Sequence, residues 1–125
     1  MLTDTTFWID LLQERQARRI GPASGFMATH RSGQLMVSVI TWGELAEGFT
    51  ASDDLARLLF RIRVLPLPQH IAWEAGRIAR ELAATGGRLG ENDNWIAATA
   101  RAWGMRLLSR DKAFGRVPRL RVVGY

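Results

Sequence analysis

The feature that most restricts this chain is its alternation of short apolar runs with amphipathic helical stretches. The runs fall at Met1 to Thr3, Leu35 to Val39, Val64 to Leu67, Arg106 to Ser109 and Leu120 to Val123. Each is the length of a strand, and Val64 to Leu67 is punctuated by Pro66 and Pro68. Between them the spacing of Leu, Ile, Phe and Trp predicts helices over Thr5 to Gln13, Phe26 to Arg31, Thr41 to Phe49, Asp53 to Arg63, Ile71 to Ala84 and Asn92 to Trp103. The clearest stripe is Ile71, Ala75, Ile78, Ala79 and Leu82, with Glu74, Arg77 and Glu81 set for i,i+3 and i,i+4 pairing. In the next helix Ile96, Ala100 and Trp103 are expected to face inward. Strands joined through helices require crossover connections. The expected fold is therefore α/β, with a parallel sheet covered on both faces. In such sheets, functional groups gather beyond the carboxyl ends of the strands.

Composition narrows the chemistry. The chain has 125 residues, the size of one domain, and no cysteine. That removes disulfide scaffolds, zinc–thiolate sites, iron–sulfur ligation and cysteine nucleophiles. His30 and His70 are far apart in sequence, which disfavours a zinc cluster. Seventeen basic residues against twelve acidic ones give a net charge of +5, and every basic residue but Lys112 is Arg. An arginine-rich surface suits a polyanionic partner, although ordinary solvated faces give the same count. The chain has neither the roughly 20 apolar residues of a membrane span nor a basic-then-apolar leader, so a cytoplasmic protein is expected.

Against this basic background, four acids fall where the topology gathers functional groups. Asp4 follows the first strand and Asp111 the fourth. Glu44 lies in the helix after the second strand, and Asp93 in the first turn of the helix before the fourth. Each has an ordinary role available. Asp4 can cap a helix, Thr41 to Glu44 fits a capping box, Asp93 suits a helix N-terminus and Asp111 a turn. Four such acids converging on one sheet edge would repel one another, and a divalent cation removes that penalty. Oxygen ligands without His or Cys select Mg²⁺ or Mn²⁺ over Zn²⁺. Such an ion lowers the pKa of a bound water and orients a phosphodiester.

These residues also resemble a known family. Asp4-Thr5-Thr6, Glu44-Leu45, Asp93 with Ile96-Ala97-Ala98, and Ser109-Arg110-Asp111 with Phe114 are similar, in order and spacing, to PIN-domain nucleases, most of all the VapC-type ribonuclease toxins. The resemblance runs from Met1 to about Val123. It implies one α/β/α sandwich over residues 1–125 with a central parallel sheet. It implies a metal-dependent endoribonuclease in which Asp4, Asp93 and Asp111 hold Mg²⁺ or Mn²⁺ and Glu44 completes the catalytic set. In-line attack by water would leave a 5′-phosphate and a 3′-hydroxyl. Thr6 and Ser109 fall on the family's supporting hydroxyl positions. A cognate antitoxin and a homodimer are the implied partners. The stretch Arg15 to Gly33 follows no pattern of the family.

Arg110 and Lys112 flank Asp111 and are the candidates for holding a substrate phosphate. Glu47 shares a face with Glu44 but reads better as a solvated residue, and Asn92 is expected to cap its helix. The clusters Arg15, Arg18, Arg19 and Arg116, Arg119, Arg121 read as surface charge. Of the five tryptophans, Trp42 and Trp95 lie nearest the acids and are the ones to consider for base stacking. Competing functions are a PIN-like module that binds RNA or protein without turnover, a housekeeping RNA-processing nuclease, a DNA-directed nuclease and a phosphatase. Against the last, Thr6 stands where a haloacid-dehalogenase-type phosphatase needs its second Asp.

Overall fold

A computed structural model describes residues Met1 to Tyr125. Five parallel strands form one sheet: β1 (Leu2–Thr3), β2 (Met36–Ser38), β3 (Arg63–Leu65), β4 (Leu107–Leu108) and β5 (Val122–Val123), in the order β3-β2-β1-β4-β5. Leu2 is in register with both Met36 and Leu107, and Leu108 with Val123. Six helices cover the sheet: α1 (Thr5–Gln16), α2 (Pro22–Thr29), α3 (Val39–Ala46), α4 (Ser52–Leu58), α5 (Gln69–Ala84) and α6 (Glu91–Ala102). Short 3₁₀ turns occupy Ser32–Gln34 and Lys112–Arg116.

Successive strand side chains point to opposite faces, so each strand feeds two cores. Leu2 and Leu107 pack with Ile71, Ile78, Leu82 and Ile96 of α5 and α6. Val37 and Leu108 pack with Phe7, Trp8, Leu11 and Leu55 on the other face. This is the expected α/β/α sandwich with a central parallel sheet.

Within it, several local expectations shift. The stripe of α5 holds at Ile71, Ala75, Ile78 and Leu82, but Ala79 is exposed. Trp103 is not inward: it ends α6, 48 % exposed, with its ring edge-on to His70. Asn92 does not cap α6. Gly90 is the N-cap, and its carbonyl accepts from the Asn94 amide at 2.9 Å. The α3 helix begins directly at the end of β2, because Ser38 Oγ accepts from the Thr41 amide at 3.1 Å. The capping box expected at Thr41 is therefore absent, and Glu44 lies one turn beyond the position from which it could reach back.

The order of strands decides where a site can form. The chain builds outward from β1 in one direction through β2 and β3, then returns to the other side of β1 with β4. The loops after β1 and β4 leave the same end of the sheet on opposite faces, which opens a crevice between them. Asp4 follows β1, and Ser109 to Asp111 follow β4.

Candidate active site

Asp4 is the N-cap of α1, and it is buried. The Thr5 amide donates to its Oδ1 at 2.7 Å. Thr6 Oγ1 and Ser109 Oγ both donate to its Oδ2, at 2.7 and 2.8 Å. Three donors thus fix a carboxylate that burial would otherwise penalise, and one acceptor position on Oδ1 stays open. Ser109 is the bridge between strands: its Oγ also accepts from the Asp111 amide at 3.0 Å. Asp111 Oδ1 caps the 3₁₀ turn by accepting from the Ala113 amide at 2.8 Å. Thr5 Oγ1 donates to Glu44 Oε1 at 2.8 Å, tying α1 to α3. One run of hydrogen bonds therefore links Glu44, Thr5, Asp4, Ser109 and Asp111.

Asp93 enters from the first turn of α6, whose position is secured by Asn94 Nδ2 donating to the Ala75 carbonyl of α5 at 2.9 Å. Its pKa is pushed up to about 6, first by burial and then by the charges of Asp4, Glu44 and Asp111. The four acids thus share one electrostatic environment with no cation in it strong enough to offset them. Capping and clustering coexist here: Asp4 and Asp111 cap their helices with some oxygens and leave others free.

The remaining candidates divide. Thr6 and Ser109 both orient Asp4. Arg110 turns aside from the acids to Asp10 on α1, Nη2 to Oδ1 at 3.0 Å. Lys112 is exposed on the first residue of the 3₁₀ turn, and Glu47 is exposed at the end of α3. Trp42 and Trp95 are half-buried against the two cores rather than free in the crevice. Arg119 pairs with Glu81, and Arg121 donates to the Gly104 carbonyl. Sequence reasoning missed Thr5 as the partner of Glu44, although it lies within the quoted Asp-Thr-Thr motif. It also missed Asp10 and Tyr125. Tyr125 Oη donates to Asp10 Oδ2 at 2.7 Å across 115 positions, a contact that no local pattern announces.

The donor set consists of hard oxygens, and the histidines lie elsewhere, His30 stacked on Phe26 and His70 against Trp103. No three acidic or histidine side chains close around one point tightly enough to enclose an ion directly. By its chemistry, an oxygen-only donor set of this kind matches the ligands that hard cations such as Mg²⁺ or Mn²⁺ take and not the nitrogen and sulfur ligands of zinc.

Comparison with known proteins agrees with this geometry. The PIN domain family model matches residues 1–120. A ribonuclease VapC2 of Haemophilus influenzae is 38 % identical over 99 residues, covering 72 % of this chain and 74 % of the relative. A ribonuclease VapC10 of Mycobacterium tuberculosis is 34 % identical over 76 residues, 59 % of this chain. That match spans only 57 % of the relative's length. Among solved structures, VapBC2 from Rickettsia felis, bound to a promoter DNA fragment, superposes with a TM-score of 0.80. It is 20 % identical and covers 98 % of this chain and 96 % of that one. VapBC-1 from nontypeable Haemophilus influenzae gives a TM-score of 0.73 at 26 % identity, covering 98 % and 96 %. The chain belongs to the PIN domain family, in its VapC group.

Proposed function

We propose that the chain is a metal-dependent endoribonuclease of the cytoplasm, and the toxin of a type II toxin–antitoxin pair. The observation that carries the catalytic part is the hydrogen-bonded run joining Glu44, Thr5, Asp4, Ser109 and Asp111, with Asp93 of α6 near enough that the charges of Asp4, Glu44 and Asp111 add to burial in raising it. Asp4, Asp93 and Asp111 would hold Mg²⁺ or Mn²⁺, in part through water. When bound, such an ion supplies a water acidic enough to attack a phosphodiester at neutral pH. Thr6 and Ser109 hold the Asp4 carboxylate in one orientation. Glu44, fixed through one oxygen by Thr5, keeps the other oxygen free to take the proton of the attacking water or to complete the ion's shell. Arg110 and Lys112 supply positive charge beside Asp111 for the phosphate backbone. The products are a 5′-phosphate and a 3′-hydroxyl.

The assignment to a toxin rests on kinship. A relative named ribonuclease VapC2 is 38 % identical over 99 residues, and similar folds were solved as VapBC pairs. An antitoxin protein and a second copy of this chain are the partners this reading assigns, and residues 1–125 act as one nuclease domain. Purified protein incubated with structured RNAs and Mg²⁺ or Mn²⁺ should cleave them. Asp93→Asn and Asp4→Asn should each lower the rate by about a hundredfold or more. Cleavage that survives either substitution would rule out this site.

A further inference from the structure

We propose that Arg110 anchors an RNA phosphate beside the scissile one, and that Asp10 and Tyr125 are the positioning residues that aim it. The proposal rests on the reading that the acidic crevice acts on RNA. Arg110 stands between Ser109 and Asp111, so its backbone is fixed by the hydrogen bonds that build the crevice. Its side chain is 62 % exposed, yet one guanidinium nitrogen is held by Asp10, itself nearly buried. Asp10 is held in turn by the Tyr125 hydroxyl. The Tyr125 ring is packed edge-on to Phe7 in the core, with centroids 5.0 Å apart. Burial and the Asp10 carboxylate push the Tyr125 hydroxyl well above its ordinary pKa, so it remains a donor.

An exposed ion pair contributes little to stability. A guanidinium held at one nitrogen from behind, with its other donors facing solvent, is instead pre-organised for a second anion. The surroundings agree. Asp10, Glu14, Arg19, Arg110 and Tyr125 line a polar cleft of about 170 Å³ beside the crevice. Its two carboxylates are already committed, Asp10 as above and Glu14 to the start of α2. The Ala23 and Ser24 amides donate to Glu14 at 3.1 and 2.7 Å. The cleft thus sets two carboxylates against two guanidiniums, and Arg110 is the cation in it whose remaining donors lie on a side chain 62 % exposed.

The test is binding of a fluorescein-labelled single-stranded RNA dodecamer in EDTA, followed by anisotropy over a range of salt. Arg110→Ala should weaken binding roughly five- to tenfold and make the salt dependence shallower by about 0.7 in log–log slope, the loss of one phosphate contact. Arg110→Lys should restore the slope but only part of the affinity, since it keeps the charge and loses the fork. Tyr125→Phe keeps the ring on Phe7 and removes the hydroxyl; it should weaken binding about two- to threefold with the slope intact. In cleavage assays Arg110→Ala should raise KM by more than it lowers kcat. Unchanged affinity and slope in Arg110→Ala, or no RNA binding by the wild type, would overturn the anchor. Wild-type affinity in the charge-neutral Tyr125→Phe would overturn the positioning role of Tyr125 and Asp10. An Asp93→Asn protein should bind with the wild-type slope while failing to cut. Arg110-dependent binding by a wild type that never cuts would therefore reject the nuclease reading and keep the anchor.

Discussion

Two groups of buried or half-buried carboxylates in this molecule behave oppositely, because one faces arginines and the other faces only further carboxylates. On the outer layer, Arg101 of α6 is almost fully buried and joins Glu74 and Glu81 of α5, with Glu81 Oε2 at 2.6 Å. Arg101 also donates to the Pro118 carbonyl, and Arg119 adds a second cation to Glu81 at 2.9 Å. Hydrogen bonding from Arg101 holds the Glu81 carboxyl below its ordinary pKa, against the opposing pull of burial. At the sheet edge, burial and three like charges hold Asp93 above its own. The first cluster is compensated within the chain and fastens α5 to α6 and the last loop. The second is left negative, at a cost to the metal-free fold. A carboxylate's role is therefore read from what faces it, not from its identity.

Breaking the compensated cluster should have the largest effect. Arg101→Met leaves Glu74 and Glu81 facing each other without a buried cation, which should lower the unfolding free energy by about 3 kcal/mol. Urea denaturation measures it. A loss near zero would mean that the ion pairs are incidental to the α5–α6 contact. RNA cleavage below the melting temperature should persist, since Arg101 touches none of the crevice residues.

The uncompensated cluster should respond to metal. Mn²⁺ at about ten times its dissociation constant should stabilise the protein by about 1.4 kcal/mol, seen as a rise in the thermal midpoint. Asp111→Asn should shrink that rise. An identical midpoint with and without millimolar Mn²⁺ would mean that the acids serve as caps alone.

The smallest effect is in the pH dependence of the metal-free protein, where the two clusters pull in opposite directions. Asp93 has a folded pKa near 6 against 3.8 when unconstrained, so the native state binds the extra proton between those values. Its contribution makes stability fall as pH rises from about 4 to about 6. After allowance for solvent screening the loss is about 1 kcal/mol, and Asp93→Asn should remove it while abolishing cleavage. Glu81 has a depressed folded pKa, so its contribution is present above pH 4.5 and lost as pH falls below it. Urea midpoints across pH in EDTA separate the two. If Asp93→Asn destabilised the metal-free protein at neutral pH, the strain ascribed to the crevice would be disproved.

The fold was largely legible because its signal is local. The stripe Ile71, Ala75, Ile78 and Leu82 defines α5 wherever the helix sits, and turns at Gly86 and Gly104 bound α5 and α6. Boundaries were less legible. Ser38 starts α3 three residues before Thr41, because a hydroxyl at the end of a strand can cap as well as one in a loop. The α2 helix begins at Pro22, inside a stretch that Gly21 and Gly25 made look broken. Glu14 accepts from the first amides of α2 and holds it there. Of the charge pairs expected along α5, Arg77 does meet Glu74 at 3.3 Å, but Glu81 turns to Arg101 and Arg119 instead.

The sequence by itself determined the order of strands and helices, the parallel sheet and the identity of the acids at its edge. Apolar periodicity and strand-end position are both carried by neighbouring residues. Only the tertiary structure decided which cation faces which acid. Glu81 acquired Arg101, twenty residues away, and Asp10 acquired Arg110 and Tyr125, while Asp93 acquired three further carboxylates. Electrostatic partners are set by separations of a few ångströms in space. Those separations exist only after the crossover connections have laid β4 beside β1.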